Sequence, residues 1–485
     1  MSIVSFPFLL FITVFICLYY LVPAGCRAYI LVAAGLYYAW TFSALSAIIL
    51  ILVTAIAFFA GSFVNHHRKY AKPASAVSIA LIVVLMAAAR WSSSGGSELS
   101  AGPAGMRISL AVVGLSFYGM EAIAYIANVC SGKIEERLGV IQVASFLAFF
   151  PTLLSGPIKD PAETVARTAR IRELSRKELW DPQAVREGSS LLIWGYFLKL
   201  VIADRLAILV DYIYDRYFLF GTVVLATAAV AYALQLYMDF MSCSMIASGI
   251  AGMLGYRIPD NFMTPYMALS VTDFWRRWHI SLSSWLRDYV YIPLGGSRKG
   301  TIRKYINLIL TFLVSGIWHG NGYRFVAWGL LHAVYQILGD LLKPVNRGIK
   351  RLLGIGKDTT LDIWIDRVVT FTLVMLAWII FRADTFTGGI AMIKSIFTVR
   401  NTWVLFDDSL LTLGLDWKEI ILLIASIQIL FMAEARQEKM MIRDRIRKEP
   451  LLGRWILYLA AIAVIIIFGT YGFGFDSSDF IYRGF

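Results

Sequence analysis

Long segments without a single charged residue are the feature that most constrains what this chain can fold into. Leu45–Phe59 and Val223–Met238 contain no Asp, Glu, Lys or Arg. With their flanks, such segments reach the roughly 20 apolar residues that a helix needs to cross a bilayer. Hydrophobic residues make up 59% of the 485 positions, whereas a soluble domain has roughly 45–50% apolar residues. The sequence therefore predicts an all-α, polytopic membrane protein with a single membrane-embedded domain over residues 1–485.

The apolar segments are distributed along nearly the whole chain. Those predicted to enter the membrane are 3–22, 28–43, 45–64, 74–90, 107–129, 139–156, 188–213, 217–236, 238–255, 305–320, 323–342, 365–382, 419–433 and 453–471. Several are short or contain Gly, Pro or charged residues, and we expect these to be half-helices or re-entrant pieces whose backbone is buried by protein. The first segment lacks a basic stretch and a small-residue cleavage site, so we predict a retained helix rather than a signal peptide.

The loops between these segments differ in charge. The net charge of +13 indicates, in a membrane protein, basic cytoplasmic loops rather than nucleic-acid binding. The basic loops are 66–69, 159–187, 343–357 and 436–454, and the loops poor in Lys and Arg are 91–106, 406–416 and 475–485. The positive-inside rule places the first group in the cytoplasm and the second group, with the C-terminus, outside. Strict alternation of the segments conflicts with this pattern near 139–187 and 256–304, where we expect re-entrant or in-plane helices.

Some classes of site are not indicated by the sequence. Cys17, Cys26, Cys130 and Cys243 lie in or beside apolar segments without metal or redox spacing, so neither a disulfide framework nor a metal site is predicted. The chain also lacks the G-x-S-x-G elbow of serine hydrolases and the G-x-x-x-x-G-K-[ST] loop of nucleotide hydrolases. The polar residues inside apolar segments are therefore the candidates for function.

The densest polar segment is 271–300, in which Trp and Arg residues surround His279. Taken as a helix, this segment places Trp275, Trp278, His279, Leu282 and Leu286 on one face. It then predicts an amphipathic helix at the cytoplasmic membrane surface, ended by a turn at 293–296. A lipid-headgroup anchor, with the histidine as a satisfied core residue, is the alternative.

A second histidine, His319, ends an apolar segment and lies between Gly316 and Gly320. Glycines permit close approach of another chain or a ligand to the backbone. An imidazole suits general base catalysis on a hydroxyl, and structural packing is an equally open interpretation from the pattern alone. His332, in the next apolar segment, is predicted to support the site by packing.

Two further polar residues lie within an apolar region. Gln235 and Asp239 are four residues apart and therefore share one face of a helix. Polar residues in membrane helices commonly form interhelical hydrogen bonds. We predict a structural or cavity-lining role for both rather than a catalytic one.

These motifs resemble the membrane-bound O-acyltransferase family. The resemblance rests on Asp273–Ser283, Arg287–Gly296 and Gly316–Gly320, and it extends to Phe149–Ile158, Ile202–Arg205 and Phe381–Asp384. It covers nearly the whole chain in order. Within the family, the chain is most similar to the alginate O-acetyltransferase membrane subunits, through Ile292–Lys299, and next to the teichoic acid D-alanyl transfer proteins. Met241–Met245 departs from the alginate pattern, and Met245 is closer to the D-alanyl relatives, so acetyl and D-alanyl groups both stay open.

The resemblance implies a fold of tilted helices around a central funnel, with His319 and His279 as the catalytic histidines. An acyl thioester of coenzyme A or of an acyl carrier protein would reach the site from the cytoplasm, and the basic surface suits either donor. His319 would activate the acceptor hydroxyl or polarise the thioester, without a permanently bound cofactor or a metal. Supporting or tunnel-lining positions are predicted at Trp318, Asn307, Trp278, Asp239, Gln235, Ser155, Pro157, Arg287, Asp288 and His332.

The resemblance also implies partners outside the bacterial cytoplasmic membrane, where an SGNH-type acyltransferase would complete transfer to a polysaccharide. The C-terminal residues 480–485 resemble the aromatic tails of these relatives. Tyr482 could accept the acyl group on its phenol and relay it outward, whereas an interfacial aromatic belt is the alternative. A transporter for an anionic substrate and a scaffold without chemistry are the rival classes of function.

Overall fold

A computed structural model describes residues 1–94, 98–101, 106–109, 112–437 and 450–471. The described chain is overwhelmingly helical, which confirms the predicted fold class. The helices are α1 (Phe6–Leu21), α2 (Arg27–Trp40), α3 (Ala44–His66), α4 (Ala71–Ser94), α5 (Leu115–Ser131), α6 (Val140–Leu147), α7 (Pro161–Glu173), α8 (Arg176–Leu179), α9 (Pro182–Phe197), α10 (Asp204–Tyr214), α11 (Thr222–Met253), α12 (Val271–Arg277), α13 (Ile280–Leu286), α14 (Thr301–His319), α15 (Tyr323–Leu341), α16 (Lys343–Leu352), α17 (Thr360–Arg382), α18 (Phe386–Thr398), α19 (Trp417–Gln437) and α20 (Leu451–Phe468). Strands β1 (Glu98–Ala101) and β2 (Met106–Ser109) form one antiparallel hairpin.

Two π-helical stretches interrupt this pattern. Leu198–Ala203 joins α9 to α10, and Arg287–Tyr291 follows α13. A π-helix widens the turn by one residue and is frequent at functional sites. In the first stretch, the freed carbonyl of Leu200 accepts a hydrogen bond of 2.8 Å from the amide of Thr470.

The described part of the chain contains four helices that are long and apolar enough to cross a membrane. They are Ala44–His66, Arg68–Trp91, Thr222–Met253 and Thr360–Arg382. A fifth candidate is the pair formed by α15 and α16, which is bent by 57°. Side-chain caps define where two of the spans begin, since Ser43 accepts from the amide of Ser46 and Thr359 accepts from that of Asp362.

The predicted separation of 217–236 from 238–255 is wrong, because α11 runs through both as one helix. Asp239 lies near the start of the second of these segments. In the structure the Asp239 carboxylate is buried and forms an ion pair with the Lys199 ammonium at 2.6 Å. A paired carboxylate can remain inside an apolar helix, so the chain has no need to break there.

The regions where charge conflicted with strict alternation contain short helices. Segment 139–156 forms the eight-residue helix α6 followed by a 3₁₀ turn at Phe150–Thr152. Segment 256–304 contains α12 and α13, each of seven residues. None of these is long enough to cross a bilayer alone. Helices α7, α16 and α18 were not predicted as membrane segments.

The chain divides into two compact units, each described on its own. The first contains Met1–Leu192 and Cys243–Asp260, and the second contains Ile193–Ser242 and the described residues from Asn261 onward. In the first unit the buried Lys159 ammonium contacts Glu121 Oε2 at 2.8 Å and Thr152 Oγ1 at 2.7 Å. This ion pair fixes the irregular segment 149–158 against α5.

Candidate active site

His279 lies at a break between α12 and α13 in the second unit. Its backbone has φ +44° and ψ +54°, the left-handed region, which costs energy for a residue with a side chain. The prediction that one continuous helix runs through this segment is therefore wrong, although all five residues assigned to its apolar face, His279 included, are buried. Because of this break, the His279 side chain does not point in the direction that one regular helix would give it.

A neighbouring loop holds this strained backbone in place. Ile280 donates its amide to the Asn261 carbonyl at 3.0 Å, and Ser281 Oγ donates to Asn261 Oδ1 at 2.6 Å. Phe262 and Trp278 form an isolated antiparallel bridge. Strain of this kind persists only where surrounding contacts over-determine it, and it concentrates at functional sites.

His319 is the last residue of α14, and its ring is almost fully buried, with 2% exposure. The flanking glycines do make the close approaches that the sequence predicted. A Cβ on Gly316 would stand 2.5 Å from the Phe325 carbonyl oxygen, and one on Gly320 would stand 2.1 Å from the Phe325 ring. Glycine is therefore required where α14 meets the start of α15.

One indole ring connects the two family histidines. The Trp318 ring centroid lies 4.8 Å from that of His319 and 6.1 Å from that of His279. Trp328 continues the series, with its ring 4.8 Å from His319 and 5.1 Å from His332. We call these five residues the histidine cluster, and each of them is buried.

His332 is oriented by a hydrogen bond within the cluster region. Trp275 Nε1 donates to His332 Nδ1 at 3.1 Å. An indole N–H is only a donor, so Nδ1 of His332 is the acceptor and its proton lies on Nε2 in the neutral ring. This contact supports the prediction that His332 packs beside the site rather than reacting.

Further aromatic rings enclose the histidines. Phe240 contacts His279 with ring centroids 4.5 Å apart, and Phe381 contacts His319 at 5.6 Å. Trp278 packs on Trp378 at 5.1 Å. His279 lies outside the candidate spanning helices. Burial lowers the pKa of its imidazole below the ordinary value, because the charged imidazolium loses its hydration there. The site is thus a largely apolar enclosure around the imidazole rings.

Asp239, predicted with Gln235 to be structural or to line a cavity, belongs to a buried charged group. Lys199 Nζ lies 2.6 Å from Asp239 Oδ1 and 2.8 Å from Asp204 Oδ1. Gln235 is buried one turn away on α11. Sequence reasoning missed Lys199, although a lysine inside the apolar segment 188–213 was itself a signal. Asp204 appeared only as part of the family motif.

Another buried carboxyl was also missed. Glu434 accepts a short hydrogen bond from the Tyr237 hydroxyl, and both side chains are buried. Tyr237 in turn packs on Trp278 with ring centroids 6.0 Å apart. Glu434 lies near the end of the apolar helix α19, where an isolated acidic residue was the available sequence signal.

The other predicted positions lie outside the histidine cluster. Asn307 is fully buried, and its Nδ2 donates to the Gly296 carbonyl at 2.8 Å, which ties α14 to the preceding turn. Arg287 and Asp288 form an ion pair at 2.8 Å, with Arg287 exposed. Ser155 and Pro157 are buried in the first unit. Tyr482 lies outside the described residues.

No group of three or more metal-binding side chains occurs among the residues that the structure describes. The chemistry available at the cluster is that of imidazole, indole and backbone groups. His319 stands at the carbonyl end of α14, where the helix dipole stabilises a positive charge. An imidazole that accepts a proton there gains that stabilisation.

Comparison with known proteins identifies the group to which these motifs belong. The model of the membrane-bound O-acyltransferase family matches residues 8–350, which contain every member of the histidine cluster. The chain belongs to this family. It is therefore an O-acyltransferase by family, and the resemblance stated from its sequence motifs is confirmed.

Named relatives act on different polymers. A probable alginate O-acetylase of Pseudomonas putida is 34% identical over 415 residues, covering 80% of this chain and 78% of the relative. A peptidoglycan O-acetyltransferase of Helicobacter pylori is 31% identical, covering 58% of this chain and 55% of the relative. A teichoic acid D-alanyltransferase of Bacillus subtilis is 28% identical, covering 57% and 70%.

Proposed function

We propose that this O-acyltransferase moves an acetyl group from a cytoplasmic thioester toward hydroxyl groups of an extracytoplasmic polysaccharide. The relatives named above as acetylating alginate and peptidoglycan support the acetyl group and the polysaccharide. Acetyl-coenzyme A and an acetylated carrier protein are the two donors under the proposal. The net charge of +13 favours either one, since both are anionic.

His319 acts as the general base in the proposed reaction. Its imidazole accepts the proton of the acceptor hydroxyl while the hydroxyl oxygen forms a bond to the thioester carbonyl carbon. The carbon–sulfur bond then breaks, and the proton passes from His319 to the departing thiolate. Burial within aromatic rings excludes water that would otherwise hydrolyse the thioester. His279, buried beside Phe240, orients the reacting groups.

One observation carries this assignment: Trp318 packs against both His279 and His319 inside one buried cluster. A lipid-headgroup anchor would leave His279 near the surface, and a scaffold would not need a strained backbone at this position.

The test compares cells that express the wild type, His319→Ala or His319→Gln at matched levels. We expect the rate of acyl transfer to fall by about 10²–10⁴-fold in both variants, which is the usual contribution of a general base. The ester content of the polysaccharide should fall with it. Mass spectrometry of the acid released by mild base names the acyl group, with acetate expected. Unchanged ester in both variants would refute the histidine mechanism and favour a scaffold.

D-alanine transfer is the second candidate, favoured by Met245 and by the Bacillus subtilis relative. The same experiment decides between them through the mass of the released acid. Purified protein that turns over no thioester but moves an anion would support a transporter instead. A final transfer by an SGNH-type partner, and an acyl relay on Tyr482, complete the proposal. Tyr482→Phe should abolish polysaccharide acylation while donor binding continues.

A further inference from the structure

Helix α16 has an apolar face that no described residue of the second unit covers. It follows the 57° bend at the end of α15, and none of its residues is buried. Val345, Ile349 and Leu352 recur at the i, i+4, i+7 spacing of one helix face. Their exposed fractions are 54%, 53% and 88%. Such a stripe is typical of a helix whose apolar face packs on an apolar partner.

The opposite face of α16 is basic. Lys343, Arg347 and Arg351 recur at i, i+4 and i+8, about 180° around the helix from the apolar stripe at 100° per residue. All three side chains are exposed. Arg347 and Arg351 form no ion pair with any carboxylate in the described part of the chain. Their charges are therefore available to an external anion.

The orientation of α16 is fixed by a third feature. Lys350 Nζ lies 2.5 Å from Asp362 Oδ1 and 2.6 Å from Asp366 Oδ1. Both aspartates belong to the first two turns of α17, which is one of the candidate membrane spans. The two faces of α16 therefore keep a set direction relative to the beginning of that span.

An exposed tryptophan lies at the same place. Trp364, in the first turns of α17, is 53% exposed, and the Arg367 guanidinium carbon lies 5.4 Å from its ring centroid. Tryptophan and arginine side chains prefer the boundary between acyl chains and headgroups. This preference is an argument for placing the start of α17, to which α16 is tied, at that boundary.

We propose that α16 lies in the plane of the membrane and binds anionic phospholipids. Val345, Ile349 and Leu352 insert among the acyl chains, and Lys343, Arg347 and Arg351 bind phosphate-bearing headgroups. An acidic soluble protein would satisfy only the basic face and leave the apolar stripe in water. A lipid leaflet provides the partners for both faces at once. This inference does not depend on the acyl-transfer chemistry.

The experiment uses the purified full-length protein in mild detergent, with native mass spectrometry to count bound lipids. Dioleoyl phosphatidylglycerol is titrated against the wild type and Arg347→Gln/Arg351→Gln, with dioleoyl phosphatidylcholine in parallel. Each juxtamembrane base contributes about fivefold to affinity, so the double variant should bind phosphatidylglycerol about 25-fold more weakly. Phosphatidylcholine binding should not change. The control Lys394→Gln/Arg400→Gln removes the same charge from exposed positions elsewhere in the second unit and should keep full affinity.

Three results would overturn the proposal. The first is wild-type phosphatidylglycerol affinity in the Arg347→Gln/Arg351→Gln variant. The second is competition by inorganic phosphate at the same concentration as the lipid, which would show a free-anion site. The third is unchanged lipid binding with loss of binding to an acidic acyl carrier protein. A further variant, Val345→Gln/Ile349→Gln, should weaken binding of both lipids, because the apolar stripe serves either headgroup.

Discussion

Replacing Gly316 by alanine tests whether close packing of α14 on α15 places the reactive histidine. The new Cβ would meet the Phe325 carbonyl oxygen at 2.5 Å, whereas ordinary contact begins at 3.4 Å. The helices must therefore separate by about 0.9 Å, since backbone atoms cannot rotate away. His319 lies one turn further along α14 and moves with it. A misplacement of about 1 Å costs up to roughly 10²-fold in rate, so we expect a 10- to 100-fold loss of acyl transfer.

The expected effect on stability is smaller than the effect on activity. Overpacking costs about 1–3 kcal/mol, and alanine recovers about 1 kcal/mol over glycine in a helix. The assay is polysaccharide ester formed per unit of protein, with thermal unfolding measured on the purified variant. Gly339→Ala is the matched control, because a Cβ at that position on α15 meets nothing within 4 Å. Full activity in Gly316→Ala would refute the idea that this contact positions His319.

Three further substitutions probe the surroundings of the cluster. Trp275→Phe removes the indole N–H that donates to His332. It should lower the free energy of unfolding, measured by thermal unfolding, by about 1–3 kcal/mol more than Trp378→Phe does. Equal losses in the two variants would contradict this. His279→Asn should retain the fold, since asparagine tolerates the left-handed backbone, while ester formation falls; unfolding of this variant would show a purely structural histidine. Lys199→Met should lower the free energy of unfolding by about 3–5 kcal/mol, because the buried carboxylates of Asp204 and Asp239 lose their partner. Neutralising both aspartates in the same variant should restore most of this loss.

Hydropathy along the chain was sufficient to predict the class of fold. Uncharged segments specify membrane helices through their own composition, because the cost of burying polar groups is decided residue by residue. The close approach at Gly316 was also predictable, because the glycine that permits it is visible in the sequence. The family motifs pointed to His279 and His319 for the same reason: each motif is a short contiguous stretch.

Tertiary structure alone decided how these residues come together. The Lys199 ion pair with Asp239 joins positions 40 residues apart. The bond from Trp275 to His332 joins positions 57 residues apart. Periodicity within one segment carries no information about such partners. The break at His279 likewise depends on Asn261, a residue in a different loop, because a strained backbone is maintained by contacts that only the folded chain provides.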